Sequence, residues 1–254
     1  MLRGACLVFV LLAGVVEGQA GAFNPSAGKG LAIVTSSFAA APTYRDGAGR
    51  ALRAPAYDKF EAVLHLEYGV PDWLAAIARP RIVATRLAAP LTARDSGLGV
   101  TELGAQAQLL RSERFVLAAQ ALARLPGGAR SPLHDRAGGG EARLMAGATF
   151  DLAGRPGFAE AHVAWRRRDG GRLDEALIET TLGVRPFAPT LVMLQSFTTL
   201  ELNGARRGRS TKLQASIVYD FSAAWSMSLA AFATAHAQRA PLERGVVIGL
   251  WRRF

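Results

Sequence analysis

Four histidines stand in the 254-residue chain, His65, His134, His162 and His236, and two of them sit where acid–base chemistry could be done. His65 lies two residues from Glu67 and His162 two residues from Glu160, so on an extended backbone each imidazole shares a face with a carboxylate. A hydrolase needs a nucleophile, a base and an orienting group within mutual reach. No GxSxG or HExxH element supplies them, and no local Ser/His/Asn grouping does so. The two His–Glu pairs therefore read as parts of a buried polar network. Nothing in the sequence implies an enzyme, a metal site or a cofactor. "AGKG" at 27–30 likewise lacks the rest of a phosphate-binding loop.

Other charged and amide side chains share that parity. Lys59 and Glu61 precede His65 and Glu67; Glu102, Gln106 and Gln108 follow, then Gln120 and Arg124, Glu141 and Arg143, Glu160, His162 and Arg166, and finally Glu179 and Arg185. Both signs occur in similar number. Such a set can line a hydrated solute path, or it can close on itself in salt bridges.

The elements that must position these residues are long alternating strands. In "YDKFEAVLHLEYGV" the even positions are Phe60, Ala62, Leu64, Leu66, Tyr68 and Val70, whereas the odd ones include Lys59, Glu61, His65 and Glu67. "EARLMAGATFDL" and "TKLQASIVYDF" repeat the pattern. A period of two over about ten to twelve residues exceeds the usual strand of about 5–6 and matches the 9–11 needed to cross a bilayer at a tilt. No segment reaches the roughly 18 apolar residues of a membrane helix. An open sheet edge in lipid would leave backbone groups unpaired, so the sheet has to close.

Turn chemistry counts the strands. "GVPDW", "RSER", "AGRPG", "VRPFAP" and "SAAW" are short joins, and between them lie longer ones: "APTYRDGAGRALRAPA", "LAAPLTARDSG", "PGGARSPLHDRAGGG", "RRDGGRLDE", "NGARRGRS" and "HAQRAPLE". Five short and six longer joins make twelve strands, with both termini on the short-turn side. The expected fold is all-β, a transmembrane antiparallel barrel of about twelve strands. One stretch opposes this: 103–125, "LGAQAQLLRSERFVLAAQALARL", consists mostly of good helix formers. The barrel requires it to split at Arg111–Arg114.

The first residues belong to export. "MLRG" gives a positive start, "ACLVFVLLAGVV" an apolar core and "EGQAGA" small residues for cleavage, the layout of a signal peptide. Cleavage after Ala20 or after Ala22 fits, Ala20 being preferred, which divides the chain into a signal peptide at 1–20 and a barrel at 21–254. Cys6 lies in that segment, so the mature chain carries no thiol. The net charge of +10 comes from 27 Arg against three Lys. In an exported barrel "WRRR" (165–168) and "ARRGRS" (205–210) fall near strand ends, where Arg suits lipopolysaccharide phosphates rather than nucleic acid.

The chain ends "GVVIGLWRRF". Val246, Ile248, Leu250 and Phe254 share one face, and this ending resembles the C-terminal insertion signal of bacterial outer-membrane proteins, which implies the barrel-assembly machinery as a partner. Arg252 departs from it, standing where an apolar residue is more typical. The stretches "GAFNPSAGKGLAIVTSSF" and "EYGVPDWL" resemble small proteobacterial barrels of the phenol-degradation-associated transporter group and the related XagA-like surface proteins. That resemblance implies an outer-membrane location, contact with lipid and lipopolysaccharide, and uptake of a small organic solute. It also leaves room for a non-conducting surface-adhesion barrel. Replacing inward Lys59 or Arg143 by Gln should spare assembly, whereas Arg at outward Leu64 or Leu144 should not.

Overall fold

The computed structural model describes residues 21–88, 92–129, 136–204 and 207–254, so the proposed signal segment and His134 lie outside the described residues. Twelve spanning strands form one closed antiparallel sheet. They are β1 (Gly30–Arg45), β2 (Ala51–Gly69), β3 (Leu74–Arg79 with Arg81–Leu87), β4 (Ala93–Leu98 with Thr101–Arg111), β5 (Phe115–Leu125) and β6 (Gly139–Leu152). The second half comprises β7 (Arg155–Arg168), β8 (Glu175–Phe187), β9 (Thr190–Glu201), β10 (Arg209–Asp220), β11 (Trp225–Gln238) and β12 (Ala240–Pro241 with Arg244–Arg253). Each pairs with its chain neighbour, and β1 closes the ring by pairing with β12 as well as β2; Leu31 stands opposite both Glu67 and Arg253.

The faces separate as the alternation requires. Leu144, Val163, Leu194, Ile217 and Leu229 are each more than half exposed on the outer wall. A continuous band of this kind would drive association in water, and lipid is the solvent that accepts it. Among the described residues no helix is long and apolar enough to cross a membrane; the strands do the crossing.

The helix-forming stretch is split as the barrel demands. Gln106 pairs with Gln120 and Leu103 with Ala123 across a hairpin. Its turn is fixed by Ser112, whose backbone N–H donates to the Phe115 carbonyl at 2.8 Å and whose hydroxyl accepts from the Phe115 N–H at 3.1 Å. Helix propensity is worth a few tenths of a kcal/mol per residue. Unpaired backbone in lipid costs several per group, so closure wins.

The five short joins lie at one end and the longer ones at the other. Two expectations change: 236–243 is mostly strand, with β11 running to Gln238 and β12 beginning at Ala240, and 41–56 is not a long loop, because β1 continues to Arg45 and β2 begins at Ala51. The join between them is a tight turn in which the Asp46 carboxylate accepts N–H groups from Ala48 at 2.9 Å and Arg50 at 2.8 Å. Polar residues here build strand that stands above the apolar band. β3 is interrupted at Pro80, which has no N–H to donate, and β4 at residues 99–100 beside it. The break is stitched by Leu64 N–H to the Pro80 carbonyl at 3.1 Å and Gly99 N–H to the Arg81 carbonyl at 2.9 Å.

Candidate functional site

The lumen carries the chemistry, and alternation along the strands places its side chains. Every charged or amide residue that the parity assigned inward from β2 to β8 points there. On β2 to β4, His65 Nε2 lies 2.6 Å from Glu67, and Arg79 Nε donates to His65 Nδ1 at 2.9 Å. Glu102 faces three guanidiniums: Arg124 at 3.3 Å, with Arg79 and Arg166 each at 3.8 Å. Arg166 also reaches Glu141 at 2.7 Å and Glu175 at 3.2 Å. Arg143 is shared between Glu141, at 2.9 Å, and Glu179. His162 stands 3.7 Å from both Glu160 and Glu179.

Near the loop end, Lys59 lies 4.0 Å from Glu61 and 3.5 Å from Glu243, which also meets Lys212. Glu61 is held by Arg81 at 3.0 Å. Midway along β9 and β10 the lining is neutral and polar: Gln195 accepts from Gln214 at 2.9 Å and from Ser216 at 3.2 Å. The lumen thus has a charged ladder on one side and an amide–hydroxyl strip on the other. The carboxylates are matched by guanidiniums, which offsets the cost of removing either from water.

Two inward features escaped the parity reading. Residues 21–25 fold back into the lumen ahead of β1. Ala22 is fully buried, and its N–H donates to Glu160 at 3.0 Å. Gln106 Nε2 donates to the Gly21 carbonyl at 2.8 Å and to Asn24 Oδ1 at 2.9 Å, while Asn24 Nδ2 reaches the Gln106 carbonyl at 3.3 Å. Ala22 and Phe23 also pack on Val116, Ala118 and Met145. Gln106 and Glu160 are therefore receptors for the chain's own leading segment as well as members of the polar lining.

The second feature is an apolar layer inside the barrel. Leu31 and Ile33 of β1, Phe158 of β7, Leu191 and Met193 of β9, Val218 of β10 and Trp251 of β12 form one buried cluster. β1 and β7 stand on opposite sides of a twelve-stranded ring, so this cluster spans the lumen. Phe158 lies over Gly183, its register partner on β8; a Cβ there would come within 1.9 Å of the ring. The layer closes the short-turn end with side chains from five strands in three separate parts of the wall. Its signal was present in the sequence as consecutive apolar residues, "LAIV", "TLVML" and "SIVY". Such runs mean that both faces of a strand are apolar.

At the C-terminal seam, Val246, Ile248, Leu250 and Phe254 all face outward and are exposed. Phe254 closes the ring through two backbone bonds with Gly30, at 2.7 and 3.0 Å. Arg252, the departure from the terminal pattern, lies 5.2 Å over the Trp225 ring on the outer wall. A guanidinium on an aromatic face is a stable arrangement at a membrane edge. In "WRRR" the parity splits the run. Trp165 and Arg167 are exposed outside, while Arg166 and Arg168 turn inward, Arg168 to Glu175 at 2.8 Å. His236 is exposed and joins neither His–Glu pair.

No family model matches the chain, and no curated protein does. Solved structures do resemble it. The COG4313 outer membrane channel from Pseudomonas putida F1 superposes with a TM-score of 0.72 at 13% identity, covering 93% of this chain and 99% of that one. The β domain of the Bordetella autotransporter BrkA gives 0.53 at 13% identity over 89% and 100%. The translocator domain of the autotransporter NalP from Neisseria meningitidis gives 0.54 at 9% identity over 89% and 88%. At these identities the likeness establishes the fold, that of outer-membrane β-barrels.

Among the described residues no group of three or more His, Cys, Asp or Glu side chains is arranged to hold a metal ion. His65 has both ring nitrogens engaged, by Glu67 and Arg79, whereas His162 Nδ1 meets Arg143 at 3.5 Å and its buried Nε2 bonds to no protein group among the described residues.

Proposed function

We propose that the protein is an outer-membrane channel for small organic solutes, closed in this conformation by its leading segment and by the apolar layer beneath it. The single observation that carries this reading is the nature of the closure. Among the described residues, 21–25 are held by four hydrogen bonds and the packing of Ala22 and Phe23, and the layer below by side-chain packing and one side-chain bond, Trp251 Nε1 to Ser228 at 3.1 Å, so both can open without breaking the barrel wall. Thr85 Oγ1, Gln108 Nε2 and Gln120 Oε1 bond to no protein group among the described residues. Buried polar atoms are paired with ordered water where protein offers nothing, which supports a lumen that admits solvent. A polar section stacked on an apolar one suits a solute with an apolar body and a polar group. The resemblance of the chain's opening stretch to the phenol-degradation-associated transporter group supports the same class.

A second reading is a non-conducting structural or adhesion barrel. The ion-pair ladder across β2 to β8 favours it, since such a ladder stiffens a lumen as readily as it lines one. Single-channel recording of the purified protein in planar bilayers separates the two. The channel reading expects discrete openings, and liposomes containing the protein should admit small aromatic acids faster than sugars of equal mass. A barrel that never conducts, with or without residues 21–25 dislodged, would leave the structural reading. Recovery of the intact protein from the soluble periplasm would overturn both.

A further inference from the structure

The outer wall near the loop end carries a register row unlike the rest of the lipid-facing surface. Arg244 on β12 pairs with Ala40 on β1, Ala40 with Asp58 on β2, Asp58 with Arg86 on β3, and Arg86 with Arg94 on β4. Arg244, Asp58, Arg86 and Arg94 are exposed on the outside. Among the described residues none of the three guanidiniums has an ion pair or a side-chain hydrogen bond, and neither has the Asp58 carboxylate. Three cations against one anion leave the row positive. Because barrel strands tilt, the row climbs from the edge of the apolar band toward the loops.

Directly below it the register places Val246, Phe38, Phe60 and Ala84 side by side. The Phe38 and Phe60 rings lie 5.0 Å apart at 46°, and Phe38 is half exposed. Small Ala40 and Ala84 between the large side chains leave a groove lined by Phe38, Phe60, Ala84, Arg86, Arg244 and Val246. The opposite wall lacks this combination. There Arg167 pairs with Gly140 and stands above Trp165 and Ala142, and the groove that Ala142, Leu144 and Val163 line on that wall includes no exposed arginine.

We infer that this groove is a binding site for a phosphorylated, multiply acylated glycolipid of the outer leaflet, the lipid A part of lipopolysaccharide. The inference rests on the outer-membrane reading, which puts the loop end in the outer leaflet. Guanidiniums recognise phosphate by charge-assisted paired hydrogen bonds. An arginine facing lipid otherwise costs free energy unless a head group meets it. The aromatic groove below receives acyl chains, and charge at its rim selects the phosphorylated head. A phospholipid offers a single phosphate, whereas Arg244 and Arg86 are separated by two intervening strands, about 14 Å at the usual spacing. That separation favours a ligand with two phosphates.

The test is native mass spectrometry of the purified, detergent-solubilised barrel with lipid A, dephosphorylated lipid A or phosphatidylglycerol. The expected result is retention of lipid A by the wild type and at least tenfold weaker retention by the Arg86→Gln/Arg244→Gln double variant, with no loss for Arg167→Gln. Dephosphorylated lipid A should be retained no better by the wild type than by the double variant. Heat-modifiable migration on gels confirms that each variant is folded. Equal retention of phosphatidylglycerol, or undiminished lipid A on the folded double variant, would overturn the site. Either result would leave the outer-membrane reading standing, because fractionation tests that separately.

Discussion

Asn24→Ala is the most informative single change, because Asn24 lies outside the barrel wall and its loss should leave the strands intact. The side chain makes two of the four bonds that seat the leading segment: Nδ2 to the Gln106 carbonyl at 3.3 Å, and Oδ1 from Gln106 Nε2 at 2.9 Å. A neutral hydrogen bond contributes about 0.5–1.5 kcal/mol net, so truncation should cost the seated state about 1–3 kcal/mol. Gln106 retains its bond to the Gly21 carbonyl, and Ala22 its bond to Glu160, so the segment is loosened and not released. At about 1.4 kcal/mol per decade, the unseated population should rise by about five- to 150-fold. Single-channel recording reads this as open-state occupancy. Trypsin access to Lys29, just before β1, gives an independent readout. The melting temperature should move little, since the wall contacts are untouched. If occupancy changes by less than twofold in a folded variant, the segment does not control passage and the reasoning from its hydrogen bonds fails.

Other outcomes follow from the same geometry. Leu144→Arg, on the outer wall, should cost roughly 2–4 kcal/mol if it lies near the bilayer midplane, read as the urea midpoint in detergent or vesicles. Arg143→Gln should also destabilise, by about 3–5 kcal/mol, because its guanidinium is nearly buried and joins Glu141 to Glu179; an unchanged midpoint would mean that the ladder is loose. Deleting Phe254 removes both backbone bonds to Gly30 and the terminal ring, and should sharply reduce the heat-modifiable folded fraction; normal assembly would show that the seam needs neither. In the β1–β2 turn, the Arg50 backbone N–H holds the Asp46 carboxyl below its ordinary value. A depressed pKa stabilises the turn above the unfolded value of about 3.9 and loses that stabilisation as pH falls through the folded one. Carboxyl carbon NMR should therefore place the Asp46 midpoint below about 3.9, and a midpoint at or above that value would refute the turn geometry.

The barrel was legible in the sequence because its physics is local. Period-two patterning needs only neighbouring residues, and turn chemistry counts the strands. Parity alone placed Lys59, Glu61, His65, Glu67, Glu102, Arg143, Glu160, His162, Arg166 and Glu179 inside. It did not show which of them would meet, since Arg166 finds Glu102, Glu141 and Glu175 through shear and side-chain length, neither of which alternation encodes. The sequence likewise marks Arg143 as inward but not as the bridge between two carboxylates, so the cost expected of Arg143→Gln in unfolding midpoint adds to the expectation that assembly survives it. The leading segment was hidden more deeply. "GAFNP" has no periodicity, and its position depends on Gln106 and Glu160, more than eighty residues further along the chain.

The ring has one expensive joint. Eleven strand pairings connect chain neighbours through short or moderate loops, whereas β1 must find β12 across almost the whole chain, Leu31 meeting Arg253. Contacts between such distant residues are the slow ones, because chain entropy is spent before they return anything. The leading segment changes that search. Gly21 to Asn24 attach to β4 and β7, so once the middle hairpins exist the residues just ahead of β1 are already moored inside the curving sheet, beside the edge that β12 must find. A chain whose mooring is cut should still form its hairpins but close more slowly. The same residues that stop up the finished lumen would thus serve, during folding, as the peg that brings the two ends of the wall together.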